Sequence, residues 1–371
     1  MTIPLKQMKL HRLKMRLNNP FTTSFGSVQE KEFFISEVID GDGNRGFGES
    51  VAFASPWYTE ETVETSLHVI ENFLIKILQE NDIQYPDDVT QLFSSVKRNN
   101  MAKATLEGAI WDLYAKRENI PLSKAIGGMK QEIDVGISIG IQPTIKDLLK
   151  TIEHYVQEGY KRMKIKIKPG HDVNVLREVR KHFPNTPIMA DANSAYTLED
   201  AEHLKQLDNL GLMMIEQPLK DDEILDHAKL QEELNTPICL DESIHSLTDA
   251  KMAIQLGACK IINIKIGRVG GITEAKRIHD YCRKHDIPVW CGGMLEAGVG
   301  RAHNIALTTL SQFVMPGDTA GSSHYWEQDI IQPEVSVKNG VIKVPDQPGI
   351  GYEVDEEALK KFTVDLKTYD L

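Results

Sequence analysis

The sequence predicts an α/β protein: a TIM-like (β/α) barrel with an α+β capping domain on its N-terminal side. Three observations predict it. Eight short β-branched or apolar runs recur between residues 135 and 318 at a period near 25 residues. Helix-patterned stretches separate them, which implies parallel strands joined by crossovers. Residues 1–130 instead show strands followed by helices, the pattern of a separate α+β unit. A chain of 371 residues has room for one or two domains at roughly 150 residues each, one of them a large barrel.

The N-terminal MTIPLKQMKLHRLKM is basic but has no continuous apolar core, so it does not read as a secretory signal. FFISEVIDGDGNRGFGES (33–50) reads as a hairpin around GDGN, and residues 61–80 and 100–119 as helices. The barrel strands are then VGISIGI (135–141), RMKIKIK (162–168), PIMAD (187–191), LMMIE (212–216), PICLD (237–241), KIINIK (260–265), IPVWCG (287–292) and FVMPGD (313–318). Between them, 145–159, 197–207 and 271–285 carry apolar residues at three- and four-residue spacing behind Ser, Thr or Asp caps. A doubly wound open sheet is the alternative, but no Gly-rich phosphate turn follows VGISIGI. VSVKNGVIKV (335–344) reads as a hairpin with an Asn-Gly turn, expected to pack on the first domain. The expected division is a cap over 1–130, a barrel carrying the site over 131–325, and a segment over 326–371 that returns to the cap.

Composition narrows the function. The net charge of -12, from 42 basic and 54 acidic residues, runs against nucleic-acid binding. No apolar run reaches the roughly 18 residues of a membrane span. Cys239, Cys259, Cys282 and Cys291 form no C-x-x-C pair and read as reduced thiols in a cytoplasm. The sequence leaves self-association open, with dimers and larger assemblies both allowed.

Four neighbouring strands end in charge: Asp191, Glu216, Asp241 and Lys265, at gaps of 25, 25 and 24 residues. Equal phase in a β/α repeat places them at one rim, where barrel active sites lie. A single carboxylate after a strand is commonly a helix cap or a solvated turn residue; three carboxylates and a lysine in phase are not explained that way. Three carboxylates facing one space repel one another unless a cation joins them. An all-oxygen donor set favours Mg²⁺ over Zn²⁺, with Mn²⁺ an acceptable substitute. In RMKIKIK, Met163, Ile165 and Ile167 share one face, and Lys164, Lys166 and Lys168 the other. Alone this is a solvated edge strand; beside three inward carboxylates the lysines are read as inward, with Lys168 reaching solvent. Lys164 and Lys166 then stand by the metal, with Lys265 arriving from the far side. Two lysines across a metal site suggest proton transfer at a carbon between them, adjacent to a carboxylate.

At these residues the chain resembles the enolase superfamily, in which a Lys base beside Mg²⁺ works on an enediolate. The strand-two Lys-x-Lys with a strand-six Lys resembles its muconate-lactonising-type subgroup. A mandelate-racemase-type site would place a His–Asp pair on late strands, whereas His303 lies in the helix-like RAHNIALTTL. PWYTEET (56–62), MAKATLEGAIWDLYAK (101–116), MADANSAY (189–196), MIEQPL (214–219), CLDES (239–243) and CGGMLEAGVGRAHNIAL (291–307) resemble the Firmicute-type o-succinylbenzoate synthase / N-succinylamino acid racemase family. That resemblance implies dehydration of 2-succinyl-6-hydroxy-2,4-cyclohexadiene-1-carboxylate to 2-succinylbenzoate in menaquinone biosynthesis, on a small carboxylate substrate. It implies Asp191, Glu216 and Asp241 as Mg²⁺ ligands, Lys166 as acid/base on one face, and the Lys265 cation stabilising the planar intermediate on the other. Dipeptide epimerases of the subgroup carry Asp-x-Asp after strand eight, where this chain reads Gly317-Asp318-Thr319.

Asn193 is read as a support of the metal site or as a turn residue. Ser138 and Met294 are expected to line the substrate pocket, and Glu296 to orient a lysine or cap the next helix. Arg268, three residues beyond Lys265, is either a surface residue or a charge that lowers the pKa of Lys265 and equips it for racemisation. The resemblance implies lids at PFTTSFG (20–26) and FASPWY (53–58). Two further readings stay open: a dedicated N-acylamino acid racemase, and a metal-binding scaffold that kept the fold. The facing lysines disfavour the scaffold, because structure does not require them.

Overall fold

The computed structural model describes residues 2–22 and 26–371. The cap is a four-stranded antiparallel sheet in the order Thr363–Asp370, Leu5–Thr22, Ser27–Asp40, Arg45–Glu49, covered by helices. The expected hairpin is the last strand pair. The long first strand was absent from the sequence reading, for a physical reason. Met8 and Leu10 face the helices of the cap, while Leu13, Met15 and Leu17 face the barrel side. The apolar positions therefore change parity between Arg12 and Leu13, where the register with the C-terminal strand also shifts, and period-two alternation is broken.

The helix expected over 61–80 runs from Val63 to Gln79 with a π turn at Ile70–Leu74. The helix Asn100–Arg117 is buried almost all round. The strand Arg45–Glu49 lies directly on it: a Cβ at Gly46 would stand 2.1 Å from the Ala109 carbonyl oxygen, and one at Gly48 2.0 Å from that of Thr105.

Seven parallel strands form the curled sheet, in the order Val289–Cys291, Ile261–Ile264, Ile238–Leu240, Ile215–Glu216, Ile188–Asp191, Met163–Lys166, Ile137–Ile139. The eighth expected strand is not one. Residues 313–318 close the ring by single bridges, Phe313 to Val289 and Gly317 to Val135. Pro316 has no N–H to give a ladder, and the neighbouring contacts are one-off bonds such as Asp318 N to Cys291 O at 2.8 Å. Met189, Met214, Cys239, Ile261 and Trp290 pack together as an apolar layer inside the barrel.

The 335–344 hairpin has its Asn339-Gly340 turn, both residues at positive φ, but it does not pack as expected. Its second strand, Val341–Lys343, pairs with Glu132–Asp134, just before the first barrel strand. The return to the cap is made by Thr363–Asp370 on Leu5–Thr22. All four cysteines are free and buried. Among the described residues no helix is long and apolar enough to cross a membrane.

Candidate active site

Strand register brings the charged residues together. Asp191 pairs with Glu216, and Glu216 with Cys239, so Asp241 lies two residues on and points to the same interior face. Lys164 and Lys166 are level with Met189 and Asp191 on the adjoining strand. All five side chains are buried, as is Lys265, while Lys168 is exposed as expected. Lys166 and Lys265 leave strands separated by three others in a ring closed by the 313–318 segment, so they approach from opposite sides.

Each carboxylate has a distinct set of partners. Lys166 Nζ donates to Asp191 Oδ2 and to Asn193 Oδ1, both at 2.6 Å, and Asn193 Nδ2 donates to Glu242 Oε1 at 2.9 Å. Lys265 Nζ donates to Asp241 Oδ2 at 2.8 Å and to the Tyr58 hydroxyl at 2.9 Å, and lies 4.4 Å from the centre of the Tyr58 ring. Arg268 is fully buried on the short helix Ile266–Val269 and bonds to Asp241, to the Tyr58 hydroxyl and to the carbonyls of Ile244 and Asn263. It is therefore no surface residue. Burial and the Arg268 charge depress Lys265, but Asp241 and Tyr58 outweigh them and hold Lys265 above its ordinary range, contrary to the net lowering expected.

Among the described residues no three His, Cys, Asp or Glu side chains form a ready cation cage, because lysines and Arg268 occupy the oxygens of Asp191 and Asp241. Glu216 differs. Asn263 Nδ2 holds its Oε1 at 2.7 Å, but Oε2 is buried with no hydrogen bond, Lys164 Nζ standing 3.3 Å away. Burial, with the Asp191 charge added, pushes the Glu216 carboxyl up to about 8. A buried oxygen without a hydrogen bond in an all-oxygen donor set fits a hard divalent cation.

A cavity of about 40 Å³ opens above this layer. Lys164, Lys166, Lys265, Asn193, Ser138 and Met294 all line it; Glu296 and Arg268 do not. The Ser138 hydroxyl is buried there without a hydrogen bond. Glu296 accepts from Asn304 Nδ2 at 2.9 Å and has no hydrogen bond to a site lysine, and the helix Gly298–Thr308 is capped from elsewhere, so neither role expected of Glu296 is met. Phe53, Trp57 and Tyr58 of FASPWY close the roof with Phe21. Residues 23–25 of PFTTSFG lie outside the described residues. With the aromatic side chains in these positions, a space of about 40 Å³ is one of water size, far smaller than the several hundred Å³ of an open ligand pocket. A larger groove of about 670 Å³, between residues 90–107 and 245–277, contains none of the charged layer.

Sequence reasoning missed four of the residues that order this layer. Tyr58 had no signal beyond its loop. Asn263 shows the right parity on KIINIK, two residues before Lys265. Glu242 follows Asp241 and holds Asn193. Asp318 ends the eighth run in phase with the other strand ends, and its carboxylate binds Lys164 at 2.7 Å and Arg162 at 2.8 Å. Positive φ at Asn193, Ser194 and Gln217 concentrates backbone strain where the strands end at the site.

A barrel with carboxylates on three successive strand ends, lysines on either side and a separate cap is the architecture of the enolase superfamily, and the chain belongs to it. Residues 7–127 match the mandelate racemase / muconate lactonizing enzyme N-terminal domain, and residues 147–358 the enolase C-terminal domain-like family. The chain is 61% identical over 369 residues to an o-succinylbenzoate synthase of Geobacillus kaustophilus, covering 100% of this chain and 98% of the relative. It is 44% identical over 360 residues to an N-succinylamino acid racemase of Thermus thermophilus, covering 97% of each. A solved enolase-superfamily member from Listeria innocua superposes with a TM-score of 0.97 at 44% identity, covering 100% of both chains.

Proposed function

We propose that this chain is an o-succinylbenzoate synthase with N-succinylamino acid racemisation as a second activity, divided into a cap over 1–130, a barrel over 131–325 and a returning segment over 326–371. The observation that carries the reading is the pair of buried lysines, Lys166 and Lys265, entering one cavity from opposite sides above three carboxylates. Full-length identity of 61% to a synthase ranks dehydration first. Asp191, Glu216 and Asp241 would hold Mg²⁺, which supplies positive charge against the substrate carboxylate.

Lys166, as the free amine, takes the α-proton of the cyclohexadiene carboxylate. The electron pair left behind expels the 6-hydroxyl, and Lys166 returns the same proton to it, so water leaves and the amine is regenerated. The Lys265 ammonium faces the other side and stabilises negative charge on the planar intermediate. Asn193, held by Glu242, fixes the Lys166 amine. For an N-succinyl amino acid, which has no leaving hydroxyl, the proton taken by one lysine is replaced from the other, and the α-carbon inverts. The test is formation of 2-succinylbenzoate, followed by absorbance, with Mg²⁺ and with excess chelator. Full turnover under chelation would sink the reading. Exchange of the α-proton of N-succinyl amino acids in D₂O, seen by NMR in both enantiomers, tests the second activity.

A further inference from the structure

The cap reaches the pocket wall through two buried charges that the chemistry does not use. Lys31, on the strand Ser27–Asp40, donates from Nζ to the carbonyl oxygens of Met294 at 3.1 Å and Leu295 at 2.8 Å. Glu49, ending the strand Arg45–Glu49, accepts from the amides of Ala297 and Gly300, each at 2.7 Å. The two side chains are 1% and 0% exposed, with Lys31 Nζ 3.8 Å from Glu49 Oε1. Together they grip both ends of the 294–300 segment, whose Met294 and Leu295 line the cavity.

Leu295 stands at φ 58, the left-handed region that costs any residue with a Cβ. Such a backbone persists only where its surroundings over-determine it. The grip also depends on Gly300, where a Cβ would lie 3.1 Å from Glu49 Oε2. Stability alone does not account for the pair. Burying two charges costs as much as their attraction returns in many proteins, and apolar packing would serve as well. Burial pushes Lys31 down and Glu49 up to about 7, which shows the cost on both partners. Directed hydrogen bonds add what packing cannot: one fixed position for a strained loop.

We propose that Lys31 and Glu49 are positioning residues, through which the cap sets the Met294–Leu295 wall and so decides which acyl carboxylates the site accepts. The specificity part rests on the functional reading above; the grip on the loop does not. The test is the double variant Lys31→Met/Glu49→Gln, which removes the buried lysine charge along with the carboxylate that faces it. Lys31→Gln, which keeps a donor on a shorter, uncharged side chain, stands in if the double variant does not fold. Hydrogen exchange should quicken by about tenfold or more at amides 294–300 while the barrel strands keep their protection. KM for dehydration should rise about tenfold with kcat within about threefold, and the kcat/KM ranking of N-acetyl through N-succinyl amino acids should flatten. Unchanged exchange in 294–300 overturns the proposal, as does exchange quickened equally through the barrel strands, which marks a merely structural role. Unchanged KM and ranking in a folded variant overturn the specificity role. A wild-type protein that turns over neither substrate sinks the functional reading alone, and the exchange measurement still decides whether the pair holds the wall.

Discussion

Of the three candidate metal ligands, Asp191 and Asp241 have both oxygens hydrogen-bonded while Glu216 Oε2 has no hydrogen bond, so it is the ligand atom a cation serves most directly. Glu216→Gln should lose turnover by at least about 100-fold and demand more Mg²⁺, since even outer partners of a metal site are worth 10–100-fold. A Mg²⁺ titration of activity checks this, and circular dichroism checks that the fold survives. Lys166→Ala should lower dehydration by about 10²–10⁴-fold, the usual worth of a positioned acid/base; near-native turnover would refute its role. Arg268→Gln should slow α-proton exchange of the enantiomer served by Lys265 more than it slows dehydration, measured by NMR in D₂O. Burial of Arg268 adds a second expectation. The carbonyls of Ile244 and Asn263 lose their donor, so stability should fall by about 1–3 kcal/mol for each one left unpaired. Equal losses in both activities would remove the selective role.

At the scale of elements, the strand Arg45–Glu49 and the helix Asn100–Arg117 meet backbone to backbone because Gly46 and Gly48 have no side chain. Gly48→Ala would set a methyl 2.0 Å from the Thr105 carbonyl oxygen, so strand and helix have to separate. Overpacking of this kind costs about 1–3 kcal/mol, and more where backbone is the obstacle. Thermal unfolding should show the loss, and an unchanged midpoint would mean that the interface yields freely. The same strand ends in Glu49, so its placement against the helix also sets the grip on the 294–300 loop.

Across the whole molecule, cap and barrel meet through buried polar groups whose protonation matters. His303, on the barrel helix Gly298–Thr308, packs on Gly108 of the cap, and burial lowers its pKa to about 4. The unfolded chain therefore takes up this proton first, near pH 6.5, and the folded chain only near 4. The stability tied to a neutral His303 is complete above pH 6.5 and is lost as pH falls through 4. At about 1.4 kcal/mol per pH unit the loss approaches about 3 kcal/mol. Urea unfolding of wild type and His303→Leu should show the variant gaining relative stability by about that amount between pH 7 and pH 4. A pH-independent difference between the two would show that His303 is not held neutral.

The barrel, its cap and the charged strand ends were legible in the sequence because each is a local repeat. Period-two runs, 25-residue phase and Lys-x-Lys parity all survive any rearrangement of distant parts. They sufficed to name Asp191, Glu216, Asp241, Lys164, Lys166 and Lys265 as one group. Three things were decided only by tertiary structure. The strand Leu5–Thr22 serves two cores in succession, so its pattern changes parity and looks irregular until both cores exist. The eighth run closes the ring by bridges alone, because Pro316 removes a donor that no distant residue restores. Tyr58 and Arg268 meet on Asp241, and Lys31 on the Met294 wall, across sequence separations of up to 263 residues. Contacts of that span leave no periodic trace, since they depend on where two independently formed elements come to rest, and that is set by the packing of cap against barrel.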